Sequence, residues 1–260
     1  MRKKLTVLLL TFVLFLSAAL LGCATVFRVD SVAVEASVVS DFAREDALRL
    51  QGVLTELYKD DSTVFANDEE VKTALKDFSY LRYSGFEKKY PGKIIVRVTE
   101  DVESYAVASS GNGYYIINAD GIVMEQRESA LNRLDGEPLV VIEGFEVSGE
   151  KGRKLNAGET FNALLIFCEQ MSTHLDGIRD NVIKIEVAEY GSQHTQYTIQ
   201  MREGVTLCVG DPVTLTKEKA DKAMEIYLSL SDEERMHGSV VVSDKGGNVV
   251  AIYDKQGLSV

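Results

Sequence analysis

The sequence predicts an α+β protein: an N-terminal transmembrane helix, a β-α-α-β-β module, then a mixed α/β domain with a curved antiparallel sheet. Three observations predict this. Residues 5–27 carry no charge and follow Arg2, Lys3 and Lys4. Between residues 28 and 100, an alternating apolar stretch, two helical stripes and two more alternating stretches follow in that order. Beyond residue 101 come pairs of short apolar runs joined through Asp-Gly, Glu-Gly and Gly-Gly, with two amphipathic stripes between them.

The first segment is mostly Leu, Val, Phe and Ala, with Thr6, Thr11, Ser17 and Thr25 as mild polar breaks. A bilayer core needs roughly 20 apolar residues in helical form. Basic residues ahead of such a segment stay in the cytoplasm. Residues 1–4 are therefore expected inside the cell and residues 28–260 outside, held at the membrane. A cleaved secretion signal fits less well, because an h-region usually spans about 7–15 residues and ends at an A-x-A site. Leu20-Leu21-Gly22-Cys23 matches a lipobox, in which Cys23 would be acylated and become the new N-terminus. All three readings export the rest of the chain.

The 260 residues hold 28 basic and 40 acidic side chains, a net charge of −12. With Arg2, Lys3 and Lys4 set aside, the exported part keeps 25 basic against 40 acidic. Such an acidic surface argues against binding nucleic acid or anionic lipid through a basic patch. At 45% hydrophobic and 26% charged, the chain has enough apolar residues for one large or two small cores.

Phe27-Arg28-Val29-Asp30-Ser31-Val32-Ala33-Val34 alternates with the period of a half-buried strand. Asp41 opens a helix with Ala47, Leu50, Val53, Leu54 and Leu57 on one face, ended by Lys59-Asp60-Asp61-Ser62. Asn67, with Glu70 three residues on, predicts a capped second helix. Its stripe is Val71, Ala74, Leu75 and Phe78. Strands are expected over 80–88 and 93–98, joined at Tyr90-Pro91-Gly92. In the second half, 114–117 and 122–124 flank an Asp120-Gly121 hairpin turn. Strands are expected over 139–142, at Ile183, Ile185 and Val187, over 197–201 and over 205–209. Helices are expected over 159–174 and 216–228, the second burying Ala220, Ala223, Met224 and Tyr227. Ser231-x-x-Glu234 caps a short turn, and 238–243 with 248–253 form a closing hairpin across Gly246-Gly247.

Catalytic chemistry leaves little trace. His174, His194 and His237 lack any ligand spacing of the HExxH or CxxC kind. The 109–113 stretch is Ser- and Gly-rich but holds no G-x-S-x-G elbow. Asp60-Asp61 and Asp68-Glu69-Glu70 lack the ligand alternation of a calcium loop. No catalytic residue, metal, cofactor or small-molecule substrate is expected. Cys168 and Cys208 sit in apolar flanks and are read as buried thiols, although one disulfide between them fits an exported chain.

Taken in order, these features resemble the FtsQ/DivIB family of bacterial cell-division proteins. Residues 27–34 look like the first strand of the family's POTRA module. Tyr90-Pro91 with Ile94-Ile95-Val96-Arg97-Val98-Thr99-Glu100 is similar to its "YP…l.I.V.E" run. Residues 114–121 resemble its "yylID.dG" hairpin, 138–144 its "P.i.G" segment and 204–210 its "dG..v.lG" segment. The order and spacing of these motifs carry the resemblance across nearly the whole chain. The usual "ER.P.A" run departs, reading Glu100-Asp101-Val102-Glu103-Ser104-Tyr105-Ala106 here.

The resemblance implies a cytoplasmic tail over 1–4, an anchor over 5–27, a POTRA-like module over 28–100, a β-domain over 101–254 and a tail over 255–260. It implies a single-pass, non-enzymatic divisome scaffold at the septum, joined to FtsL-type and FtsB/DivIC-type bitopic proteins. The alternative is an exported lipoprotein with an envelope-assembly or ligand-binding role. Val240-Val241-Val242 fits an edge strand open to an incoming chain, and equally an internal strand. The resemblance favours the interface and implies Val240, Val241, Val242, Val249, Ile252 and Tyr253 as partner-binding residues.

Overall fold

The computed structural model describes residues 11–15, 17, 25–111, 113–190 and 194–257. The chain divides into two compact units, Met1–Asp101 and Val102–Val260. Both are α+β. Among the described residues, no helix is long and apolar enough to cross a membrane. The expected anchor over 5–27 and the lipobox cysteine Cys23 fall largely or wholly outside the described residues.

The first unit is built from β1 (Ser31–Ser37), α1 (Asp41–Leu57), α2 (Glu69–Ala74) with a 3-10 turn (Leu75–Asp77), β2 (Leu81–Lys89) and β3 (Lys93–Glu100). Its sheet runs β1-β3-β2, with β1 parallel and β2 antiparallel to the central β3. Alternation in β3 sends Ile94, Val96 and Val98 to the side where Leu50, Leu54, Val71 and Phe78 lie. Ser40 begins α1 well: its Oγ accepts from the Ala43 N–H, and the Glu100 carboxylate accepts from Ser40 and Val39.

Two expectations fail in this unit. The buried stripe of α1 is Ala43, Ala47, Leu50 and Leu54, whereas Val53 and Leu57 face solvent. The cause is angular: Val53 and Leu57 both lie to one side of the stripe's centre, and at this end of the helix Leu54 and the C-cap Tyr58 take the buried positions, the Tyr58 ring packing near Phe86 of the sheet. The capping box at Asn67 does not form. Asp68 is the N-cap of α2, and Asn67 Oδ1 accepts from the Glu69 N–H two residues on. That Asx turn takes the Glu69 N–H, one residue before the Glu70 N–H that a capping box would have used.

The second unit contains β4 (Tyr105–Ala108), β5 (Tyr114–Ile117), β6 (Val123–Arg127), β7 (Val140–Glu143), α3 (Gly158–Ser172), α4 (Ile178–Asn181) and β8 (Val182–Tyr190). It continues with β9 (His194–Met201), β10 (Thr206–Gly210), α5 (Thr216–Ser229), α6 (Asp232–Arg235), β11 (Ser239–Lys245) and β12 (Asn248–Asp254). Strands β4 to β12 make one nine-stranded sheet in the order β12-β11-β10-β9-β8-β7-β4-β5-β6.

The expected antiparallel sheet is in fact mixed. The pairs β4–β7, β7–β8 and β10–β11 are parallel. Parallel neighbours need crossover connections, and α3–α4 and α5–α6 supply the last two. Helices α3 and α5 pack on one face of the sheet and carry Phe161, Leu164, Phe167, Ala220, Ala223 and Met224 into the main core. Tyr197 of β9 crosses that core and its Oη donates to Thr160 O at 2.5 Å. Ser231 and Glu234 form the expected capping box. In β8 the register slips between Val182 and Lys184, so Val182 and Ile185 are buried and Ile183 is exposed. The expected inward alternation of Ile183 with Ile185 is broken by this irregularity.

Candidate functional site

The sheet of the second unit ends at β12. Beyond its pairing with β11, no backbone hydrogen bond joins residues 248–253 to another described residue. An edge of this kind presents unpaired N–H and C=O groups to solvent. The sequence that makes it is period-two. Val249, Ala251 and Tyr253 turn inward and pack against the main core. Asn248, Val250 and Ile252 turn outward, and Ile252 is 57% exposed.

The strand β11 is held in place from both sides, by β10 in parallel and β12 in antiparallel register. Val240 and Val242 are fully buried in the core. The expectation that Val240 and Val242 touch a partner is therefore corrected: β11 is internal, and alternation turns these two toward α5. Val241 sits on the opposite face, opposite Ile252 of β12 and Cys208 of β10. The outward patch at this end of the sheet is thus Val241, Val250 and Ile252, with Cys208 beneath them.

Tyr253 is corrected as well. Its Oη lies 3.1 Å from Glu234 O and 3.2 Å from His237 O, so the ring fastens β12 to the turn ahead of β11. Burial, with the carboxylates of Glu234, Asp254 and Glu233, pushes this phenol above its ordinary value. Gly238 makes room for it. With φ at +80°, a side chain there would meet Asp254 O at 2.6 Å and the Tyr253 ring at 3.0 Å. Val249 belongs to the inward set. Of the six residues expected to meet a partner, the structure places Val241 and Ile252 on the open face. Val250 was missed. Its signal is parity: the strand's only Tyr marks the inward set, which sends Val250 out with Ile252.

The two thiols lie on opposite faces of the sheet, because Leu207 and Val209 enter the main core and Cys208 between them cannot. Both are free and buried. Burial raises the Cys208 thiol, and the Cys168 thiol is pushed up to about 12. Neither is a ready nucleophile. Lys219 of α5 is fully buried, and its Nζ donates to Gly210 O, Asp211 O and Thr214 Oγ1. Burial holds its pKa below the usual lysine value. Its three donors all pin the β10–α5 loop.

A cleft of about 650 Å³ opens within the second unit between α3 and the start of β4, floored by Tyr105, Leu165 and Cys168. Of its charged lining residues, Glu103 pairs with Arg127 and Asp135 with Arg179. His174 lies 2.7 Å from Asp221 and His194 3.3 Å from Asp211, at separate places. His237 stands at the turn before β11, where its carbonyl meets Tyr253. Among the described residues, no group of three or more His, Cys, Asp and Glu side chains is gathered as metal ligands would be.

A small α+β unit with a β1-β3-β2 sheet, followed by a larger one whose sheet ends on a bare strand, defines a two-unit α+β protein with an open sheet edge. No family model matches the sequence. The chain is similar to the cell division protein DivIB of Clostridium tetani (strain Massachusetts / E88), at 24% identity over 204 residues, 76% of this chain and 71% of that protein. That similarity, together with the motifs quoted above, supports a divergent member of the FtsQ/DivIB family of bacterial cell-division proteins.

Proposed function

We propose that the protein is a membrane-anchored, extracytoplasmic scaffold of the bacterial divisome. It binds small bitopic proteins of the FtsL and FtsB/DivIC type and so supports septum formation. In this reading residues 1–4 are cytoplasmic, 5–27 cross the membrane once, 28–100 form a POTRA-like module and 101–254 form the partner-binding β-domain. The β-α-α-β-β order and the parallel β1–β3 pairing support the POTRA-like assignment.

The single observation that carries the proposal is the bare edge of β12, with Val241, Val250 and Ile252 turned outward beside it. Strand addition gains affinity from backbone hydrogen bonds and selectivity from alternate side chains. The test is capture of FtsL- and DivIC-type partners by the full chain in detergent. A Val250→Lys/Ile252→Lys double variant should keep its circular dichroism and lose capture. Undiminished capture by the folded variant places the partner elsewhere.

The lipobox supports a second reading, an exported lipoprotein with an envelope-assembly or ligand-binding role. Radiolabelled palmitate separates the two: label that disappears in Cys23→Ala favours the lipoprotein, and an unlabelled chain favours the helix.

A further inference from the structure

The first unit exposes apolar side chains that no part of its own core uses. Phe65 is 75% exposed and Tyr90 58%, with Val26 and Val64 also open to solvent. They are distant in sequence yet adjacent in space. The rings of Phe27 and Tyr90 meet edge-on at 5.7 Å. Buried Thr63 donates its N–H to Phe27 O, and its Oγ1 bonds Phe27 O and Pro91 O. One residue on, Val64 O accepts from Lys88 Nζ at 2.9 Å. Three segments, 26–28, 62–66 and 88–93, are thereby stapled into one aromatic patch. Its rim carries Lys88, Lys89 and Lys93, and Lys93 has no ion-pair partner among the described residues.

We propose that this patch rests on the outer surface of the lipid bilayer, with Phe65 and Tyr90 at the level of the headgroups. The occupant follows from where the patch lies along the chain. The uncharged run of residues 5–27 ends in Val26 and Phe27, which themselves form one wall of the patch. A segment leaving a bilayer at Phe27 delivers Tyr90 and Phe65 to the interface without any spacer. Aromatic residues concentrate at that depth because their rings are partly apolar and partly polar. Lysines reach phosphates while their stems stay on apolar surface. In a chain of net charge −12, the lysines of this hairpin tip, of which Lys89 also lies 3.8 Å from Glu87, complement a phosphate surface. This inference rests on residues 5–27 crossing the membrane, and it adds a second contact that sets the first unit down on the surface instead of leaving it on a free tether.

The sequence contains no tryptophan, so a single Phe65→Trp or Tyr90→Trp variant reports on one place alone. The full-length chain is reconstituted into phosphatidylethanolamine–phosphatidylglycerol vesicles and washed with alkaline carbonate. Retained protein is then read for emission wavelength and for quenching by a lipid doxyl label set near the headgroup. Retention with blue-shifted, strongly quenched emission from both variants is expected. Retention with unquenched emission overturns the docking while leaving the anchor standing. Blue-shifted but unquenched emission marks a protein occupant and overturns it equally. Loss of the chain in the carbonate wash overturns the anchor, and this inference with it.

Discussion

The nine-stranded sheet has two ends, and the chain treats them in opposite ways. At the β6 end a returning loop is laid along the strand. Val123 N–H donates to Arg153 O, Gly152 N–H to Val123 O and Leu155 N–H to Gly121 O, each at 2.8 Å. The far part of β6 is fastened by Arg127, whose guanidinium makes a bidentate pair with buried Glu103 and also reaches the carbonyls of Ser129 and Leu131. At the β12 end no backbone among the described residues pairs with the strand's outer edge. A sheet edge left open invites pairing, and proteins usually block one that has no use. One edge here is closed with a loop and a buried ion pair while the other is left bare, with two β-branched side chains turned outward. The contrast leaves β12 as the open end of the sheet, where the proposed partner would pair.

The largest effect should come from breaking the closed end. Glu103→Ala removes the bidentate partner of Arg127, whose side chain is only 19% exposed, and the acceptor of the Arg133 N–H, and leaves Arg127 with Glu125 and the carbonyls of Ser129 and Leu131. Removing one partner of a buried pair costs about 3–5 kcal/mol. Urea unfolding should show that loss, and an unchanged midpoint would mean that the ion pair does not close this end. A smaller effect is expected from Tyr253→Phe. It deletes the hydroxyl that reaches Glu234 O and His237 O, worth about 1 kcal/mol. Partner capture should persist, because the ring faces inward; capture lost without a stability change would return Tyr253 to the interface. The smallest effect on the fold belongs to Ile252→Lys. An exposed substitution of this kind stays within about 0.5 kcal/mol. Its melting temperature should match the parent while capture falls, and a large drop in melting temperature would show that Ile252 is part of the core.

Local pattern carried most of the elements. The stripes of α2 and α5, the Ser231–Glu234 capping box and the hairpin turns are short-range signals, and each formed close to where it was read. What stayed hidden depends on distant neighbours. Nothing in Val240-Val241-Val242 says that β11 inserts beside β10, so the run reads equally as an edge or an interior strand. Tyr105–Ala108 gave no strand signal of its own, yet β4 is central, because burial between β7 and β5 decides it. The parallel pairs were missed because hairpin turns advertise only antiparallel neighbours. Of the proposed site the hairpin itself was legible, with the faces of its strands unresolved until Tyr253 and Gly238 fixed its parity.

The parallel insertion of β11 also sets an order of events during folding. Its contacts with β10 bridge the whole of α5 and α6, and contacts so distant in sequence form late. Until they form, the sheet stops at β10, and the strand Thr206–Gly210 is itself an unguarded edge of the same kind that β12 later offers. A partner strand present at that moment competes with the chain's own β11. Refolding in the presence of partner peptide should therefore be slower than refolding without it, whereas the same peptide added afterwards finds only the finished edge.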